Sequence, residues 1–299
     1  MKKLKFLSVV SLIMAAALTA CSPTSPVSSS QVNTNTHASD TSAYDTLMRV
    51  SYIDVGQGDS EFIELPNGKT MLIDAGPNEA GSKVVEYIKS LGYTSIDYVV
   101  ATHPHEDHIG GMDDVINAFD IGDIYMPKVS ADTKTYEDLL DAISAKNLII
   151  YTAHAGVSVI GDDGLSVNML APVSDSYDDL NNYSAVIRIV YGDTSFLFTG
   201  DAENISESEI TDDVKADVLK VGHHGSDTST SDDFLAKVNP SIAVISCGKD
   251  NKYGHPTEST VQKLKDKGVQ VLRTDEVGTI VISTDGSNLK MEQPAGELK

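Results

Sequence analysis

The chain has 299 residues, 40% of them hydrophobic, and a formal net charge of -22. That acidity repels polyanions on average and counts against broad nonspecific nucleic-acid binding, although bound divalent cations can invert the field locally. Only Cys21 and Cys247 are present, the second inside the apolar run Ile242 to Cys247, so a structural disulfide framework is excluded and stability must come from core and metal.

Met1 to Lys5 carries three lysines and opens an apolar stretch, Phe6 to Ala20, broken only by Ser8, Ser11 and Thr19. A charged start with a short apolar core predicts a secretory signal peptide over residues 1–20, too short to span a membrane comfortably. Because Cys21 follows small residues, the segment resembles a bacterial lipoprotein signal. That resemblance implies cleavage before Cys21, lipidation of Cys21, and a secreted chain anchored to the outer face of the bacterial cell membrane. Loss of Lys2, Lys3 and Lys5 with the signal makes the mature chain more acidic still. Residues 21–43 are rich in Ser, Thr, Pro and Asn, with Val27 and Val32 as the branched aliphatics. They bury too little surface to offset ordering entropy and predict a disordered tether in which His37 is solvated. Residues 44–299 contain no further linker or internal repeat and are expected to form one domain.

Within that domain, Arg49 to Val55, Ser60 to Leu65 and Thr70 to Ile73 read as strands of an antiparallel meander, turning at Pro66-Asn67-Gly68. Val84, Val85, Ile88 and Leu91 form a helical stripe stopped by Gly92. Strand Ile96 to Ala101 leads into Thr102-His103-Pro104-His105-Glu106-Asp107-His108, after which Ile109, Met112, Val115 and Ile116 mark a helix. Tyr136, Leu139, Leu140 and Ile143 mark another. Strands are expected at Leu148 to Tyr151, Val157 to Ile160 and Leu165 to Leu170, then a hairpin of Ala185 to Tyr191 with Ser195 to Phe198. Strands Asp217 to Val221 and Ile242 to Cys247 bracket a helix near Phe234 to Val238. A helix from Glu258 to Lys267 and strands Val269 to Arg273 and Thr279 to Ser283 complete the chain. Layer logic gives an α/β fold of two packed sheets flanked by helices.

Three imidazoles and two carboxylates within six positions after an apolar strand point to metal chemistry. In an extended segment His103 and His105 project to one side, while Asp107 and His108, at the turn into a helix, offer ligands to a neighbouring ion. Asp201 ends the strand Phe196-Leu197-Phe198-Thr199-Gly200 and can bridge two metals or cap a helix starting near Ala202. One of His223 and His224 can face a metal, since adjacent residues diverge in a strand. His255, before Pro256 at a helix start, can complete a coordination shell, hold substrate or brace its loop.

This pattern resembles the metallo-β-lactamase fold superfamily, with its His-x-His-x-Asp-His string after a strand, and more narrowly the hydrolase domain of ComEC-type competence DNA-uptake proteins. The matching pieces run in order across about residues 49 to 284: Asp54 to Asp59, Leu72 to Gly76, His103 to Gly111, Thr199 to Asp201, Lys220 to Ser226, Tyr253 to Pro256 and Arg273 to Asp275. The resemblance implies an αββα sandwich with His103 and His105 at a first metal, Asp107 and His108 at a second, and Asp201 between them. His223 is favoured over His224 to complete the second site. Asn181-Asn182-Tyr183-Ser184 stands where many members supply a third histidine to the first metal, so that site is short of a ligand that water, substrate or His255 would fill. Asp59 and Asp74 match positions beside the site and are expected to orient the histidines from behind. Asn182 and Ser184 are further candidates for metal or substrate contact, and Asn182 or His255 for steadying the leaving oxygen. His154 lies outside these motifs.

Imidazole with carboxylate suits zinc and tolerates manganese or iron, so two divalent ions are the expected cofactors. The expected function is a phosphodiesterase or nuclease using a metal-bound hydroxide positioned by Asp201, with Asp107, Asp201 and His255 as the catalytic residues and extracellular nucleic acid or a cell-wall polymer as the phosphodiester substrate. Alternatives are a phosphoester hydrolase acting on cell-wall polymer or phosphocholine, and a non-catalytic metal-binding lipoprotein accessory to DNA uptake or envelope assembly. Lys215, Lys220, Lys249 and Lys252 are available to line a substrate groove.

Overall fold

The computed structural model describes residues 47–162, 164–294 and 298. The expected signal peptide and tether, with Cys21 and His37, lie outside the described residues. Two mixed sheets stack face to face. The first has eight strands in the spatial order Leu289–Gln293, Ile280–Thr284, Met48–Tyr52, Glu61–Glu64, Thr70–Ile73, Ser95–Val100, Asp120–Met126 and Ile150–Thr152. The second has seven: Gln270–Arg273, Ile242–Ile245, Val218–Lys220, Thr194–Phe198, Val186–Tyr191, Leu165–Ala171 and Ser158–Asp162. Each sheet begins as an antiparallel meander and finishes in parallel strands.

Alternation explains the layering. In Met48–Tyr52, Met48, Val50 and Tyr52 enter the core between the sheets, where Tyr52 stacks on Phe198 of the other sheet at 6.0 Å. On the outer face of the first sheet, Val84 and Ile88 of helix Gly81–Ser90 and Val115 and Ile116 of helix Met112–Ala118 cover Leu72 and Val99. Phe234 and Leu264 from helices Asp232–Val238 and Glu258–Asp266 cover Leu197 and Leu219 on the second. Each fully buried side chain of this kind contributes about 1.5–3 kcal/mol. The result is the expected αββα sandwich. Among the described residues no helix is long and apolar enough to cross a membrane.

One interior strand, Asp120–Met126, was not expected, because Asp120, Gly122 and Asp123 break the apolar pattern. Its first half is partly exposed, which tolerates the aspartates, while Ile124, Tyr125 and Met126 are buried. The expected strand at Leu148 to Tyr151 is the edge strand Ile150–Thr152, whose Ile150 and Tyr151 are exposed.

The parallel strands place the chemistry. Ile73, Val100, Phe198, Lys220 and Ile245 all end at the same edge of the sandwich, and the loop Ile53 to Ser60 returns there. Loops at the carboxyl ends of parallel strands build a crevice in which separate segments can meet.

Candidate metal centre

Asp201 is the hub. It follows the strand Thr194–Phe198, is 2% exposed, and does not cap a helix, since helix Asn204–Glu209 is preceded by Glu203. Its Oδ1 lies 3.2 Å from His108 Nε2 and 3.7 Å from His224 Nε2. His224 Nε2 is in turn 3.2 Å from Asp107 Oδ2. Four donors held about 2.0–2.2 Å from a tetrahedral ion stand about 3.3–3.6 Å apart, which these separations approximate. His108 Nε2, His224 Nε2 and Asp201 Oδ1 are buried without a hydrogen-bond partner. Orphaned buried donors cost free energy unless something satisfies them, and a cation would satisfy all three at once.

The other oxygen faces a second group. Asp201 Oδ2 is 3.9 Å from His103 Nε2 and 3.6 Å from His223 Nε2, and His103 Nε2 is 3.0 Å from His105 Nδ1. His103, His105, His223 and Asp201 thus form one donor set, and Asp107, His108, His224 and Asp201 the other.

This arrangement differs from the expected one, since His224 rather than His223 stands beside Asp107 and the Asp201 oxygen that faces His108. Gly222 to Gly225 is a turn rather than a strand end, with His223 at φ 49° and His224 at φ 53°. Left-handed backbone at two consecutive non-glycine residues costs of order 1–3 kcal/mol each, and such strain concentrates at functional sites. Here it lets neighbouring imidazoles approach the two oxygens of one carboxylate, where an extended chain would point them apart. His223 Nε2 thereby stands on the His103 side of Asp201, the side expected to be short of a ligand.

Most rings are held from behind. His108 Nδ1 donates to Asp74 Oδ2 at 2.7 Å, and Asp74 also accepts from Thr102 N and Thr102 Oγ1 at 2.8 and 2.6 Å. His103 Nδ1 lies 3.1 Å from Thr102 Oγ1 and 3.3 Å from Ser184 Oγ, and Ser184 Oγ accepts from Asp201 N at 3.0 Å. His224 Nδ1 faces Ser246 O at 3.0 Å and Asp59 Oδ1 at 3.1 Å, while His223 Nδ1 meets Thr228 Oγ1 at 3.2 Å. Fixing Nδ1 leaves Nε2 as the free lone pair and sets each ring's orientation. Asp59 sits within 4.8 Å of the His108, Asp201 and His224 donors, but its Oδ2 is 2.7 Å from buried Lys220 Nζ, so it stands behind His224 rather than facing the cleft.

The electrostatics ask for positive charge. Burial disfavours an imidazolium at His224, yet Asp201 and Asp59 outweigh it and push His224 up to about 10. His108 is likewise raised, by Asp201 and Asp74 against burial. Despite burial, His108 and His224 hold Asp201 well below the usual carboxylate range, and His224 and His108 do the same for Asp107. Burial, followed by repulsion from His108, drives His103 well below its ordinary value, so it is a neutral donor.

A model of the metallo-beta-lactamase superfamily matches residues 53–249, which include every one of these donors. The chain belongs to the metallo-beta-lactamase superfamily. Among curated proteins it is 34% identical over 251 residues to ComE operon protein 3 of Bacillus subtilis (strain 168), covering 77% of this chain and 32% of that protein. To competence protein ComA of Neisseria gonorrhoeae it is 29% identical over 249 residues, covering 82% of this chain and 33% of that one. The chain therefore spans about a third of the length of these relatives. Among solved structures, the E377D mutant of CmlA beta-hydroxylase superposes with a TM-score of 0.51 at 14% identity, covering 78% of this chain and 53% of that chain, a likeness of fold alone.

In this metallo-beta-lactamase centre the cleft over the donors encloses about 320 Å³ and is lined also by Gln57, Asn181, Tyr253 and His255. His255 Nδ1, Asn181 Oδ1 and Gln57 Nε2 are buried there without hydrogen-bond partners. Gln57 and Asn181 are not among the expected site residues, although they lie within the stretches Asp54 to Asp59 and Asn181 to Ser184 noted in the sequence. Asn182 does not face the cleft: its Oδ1 accepts from Glu203 N and Ser206 N at 3.3 and 3.2 Å, so it braces the start of helix Asn204–Glu209. Lys220 is withdrawn from any groove by Asp59, and the Lys215 carbonyl accepts from Arg188 on an exposed rim. A larger cavity, about 380 Å³, lies beside Lys128, His154 and Tyr183, but it holds none of the clustered donors and so no comparable chemistry.

Proposed function

We propose that this metal-dependent hydrolase is a two-ion phosphodiesterase, carried on a lipid at Cys21 outside the cell membrane and acting on nucleic acid or another polymeric phosphodiester. The observation that carries the reading is Asp201, whose two oxygens each face a separate set of imidazole nitrogens. His103, His105 and His223 would hold one ion, Asp107, His108 and His224 the other, with Asp201 common to both. Zinc suits these donors and manganese or iron is tolerated. Divalent ions bound there would supply Lewis acidity toward a phosphoryl oxygen and lower the pKa of a coordinated water.

The chain's own groups do the positioning. Asp74, Ser184, Ser246 and Thr228 hold the rings so that no reorganisation is needed when charge develops. Gln57 Nε2 is a donor aimed into the cleft and fixed by its own Oε1, which accepts from Gly248 N at 3.0 Å, so it can orient a non-bridging phosphoryl oxygen. Burial, with His223 beside it, holds His255 below its ordinary value; as a neutral imidazole it can donate from one nitrogen to the leaving oxygen. The ComE operon protein 3 and ComA likeness supports a nucleic-acid substrate.

The test is a panel assayed with added zinc or manganese: bis(p-nitrophenyl) phosphate, single-stranded DNA, a glycerol-phosphate polymer and a phosphocholine ester, each beside an Asp107→Ala control. Hydrolysis of the diester and DNA, absent from the control, is expected. Cleavage of only the wall polymer or phosphocholine would redirect the substrate assignment, and metal binding with no turnover across the panel would leave a binding protein.

A further inference from the structure

Tyr253 is 55% exposed yet lines the cleft directly above His255. Its ring lies 6.0 Å from the His255 ring with an interplanar angle of 23°, a near-parallel stack, and more than half of the tyrosine stays exposed. Lys252 Nζ stands 4.9 Å from the tyrosine ring centroid. Among the described residues the tyrosine hydroxyl makes no hydrogen bond, so nothing polar explains why a large ring is displayed there.

The loop beneath it is rigid. Asn251 Oδ1 accepts from Tyr253 N and His255 N, both at 3.1 Å, and Asn251 Nδ2 donates to Gly248 O at 2.9 Å and to the His255 carbonyl. Four hydrogen bonds from one side chain therefore tie Asn251 to three other positions of a nine-residue loop, Gly248 to Pro256. A ring held this way loses little freedom when a flat partner settles on it, which favours binding by stacking. Lys249, at the start of the same loop, lines a separate cavity with Asn251 and His255, so Lys252 is the lysine placed at the ring.

An exposed aromatic face beside cations is the arrangement that binds single-stranded nucleic acid without sequence preference, the ring taking a base and the cations the backbone. We propose that Tyr253 is a base-stacking platform that selects nucleobase-bearing phosphodiesters over polyol-phosphate polymers, with Lys252 holding the adjoining phosphate. The inference rests on the phosphodiesterase reading and narrows its substrate class: the base of the nucleotide next to the scissile phosphate lies on Tyr253, and the phosphate beneath it enters the donor cluster.

The experiment measures kcat/KM of the full chain on a short single-stranded DNA and on the same oligomer with abasic sites throughout, reading the ratio within each protein. In wild type the base-bearing substrate is expected to be favoured by about tenfold or more, the worth of one stacked base. Tyr253→Leu keeps bulk but removes the π face and should bring the ratio near one, whereas Tyr253→Trp should keep it. Equal rates on both substrates in wild type, or a ratio unchanged in Tyr253→Leu, would overturn the platform while leaving a phosphodiesterase. No cleavage of either oligomer together with no turnover of bis(p-nitrophenyl) phosphate would instead remove the reading beneath it.

Discussion

Replacing Lys220 with methionine tests whether the metal centre is braced by charge buried far behind it. Lys220 Nζ is 2.7 Å from Asp59 Oδ2, both side chains are about 1% exposed, and Asp59 Oδ1 supports His224 Nδ1 at 3.1 Å. Although burial alone would neutralise them, Lys220 is raised by Asp59 and Glu61, and Asp59 is held down by Lys220 and His224, so the pair is ionic. Nearby Glu61 is itself pushed well up by burial and by Asp59. Methionine preserves the apolar stem, so the cavity loss is small and the effect is electrostatic. Stripping one partner from a buried pair costs about 3–5 kcal/mol. Because His224 still compensates Asp59 in part, about 3 kcal/mol is expected, lowering the urea midpoint by about 1 M for a slope near 3 kcal/mol/M. The depressed Asp59 contributes its stability above the ordinary carboxylate value near 4, and that contribution is lost as pH falls through its lower folded value. The deficit of Lys220→Met should therefore be full at pH 7 and shrink only in strong acid. Adding Asp59→Asn to Lys220→Met should recover most of the loss. A single variant within about 0.5 kcal/mol of wild type at pH 7, the scatter of ordinary surface substitutions, would refute the bracing argument.

Gly58→Ala should cripple activity while the sheets remain folded, because a Cβ at Gly58, φ +150°, would come within 2.3 Å of the Asp107 carbonyl oxygen and displace a cluster ligand; undiminished hydrolysis with normal circular dichroism would contradict this. Chelation should lower the melting temperature by about 5–10 °C when metal had been present at a hundredfold excess over Kd, from about 2.7 kcal/mol of linkage and about 2–4 °C per kcal/mol, and calorimetric scans with and without chelator measure it. Cys247, whose thiol burial and Asp275 push up to about 12, should resist iodoacetamide at pH 8 in the folded protein and react after denaturation; mass spectrometry showing rapid native alkylation would count against its buried setting.

Where the fold was legible from residues, the signal was local. Met71 to Ile73 is an apolar run shortly after a Pro-Asn-Gly turn, and the ligand string at His103 to His108 is contiguous in the chain. Asp120–Met126 was hidden because its ladder with Ser95–Val100, not its own pattern, makes it a strand; Gly122 is required there, since a Cβ would meet the Asp97 carbonyl oxygen at 2.3 Å. The partition of His223 and His224 between two donor sets depends on two left-handed residues, which no hydrophobic period reports. Lys220 and Asp59 are separated by most of the domain in sequence, and their pairing appears only when two sheets bring their strand ends together. Asn182 illustrates a finer limit: the chain segment is at the site, but the side chain turns to satisfy the helix start behind it.

The most direct test of the account titrates metal-free protein with zinc or manganese and follows the initial rate of bis(p-nitrophenyl) phosphate hydrolysis against metal equivalents. Asp201 facing two donor sets predicts turnover that rises to saturation at two equivalents and is abolished by Asp201→Asn. A rate that saturates at one equivalent, or no turnover when two ions are bound, would contradict it.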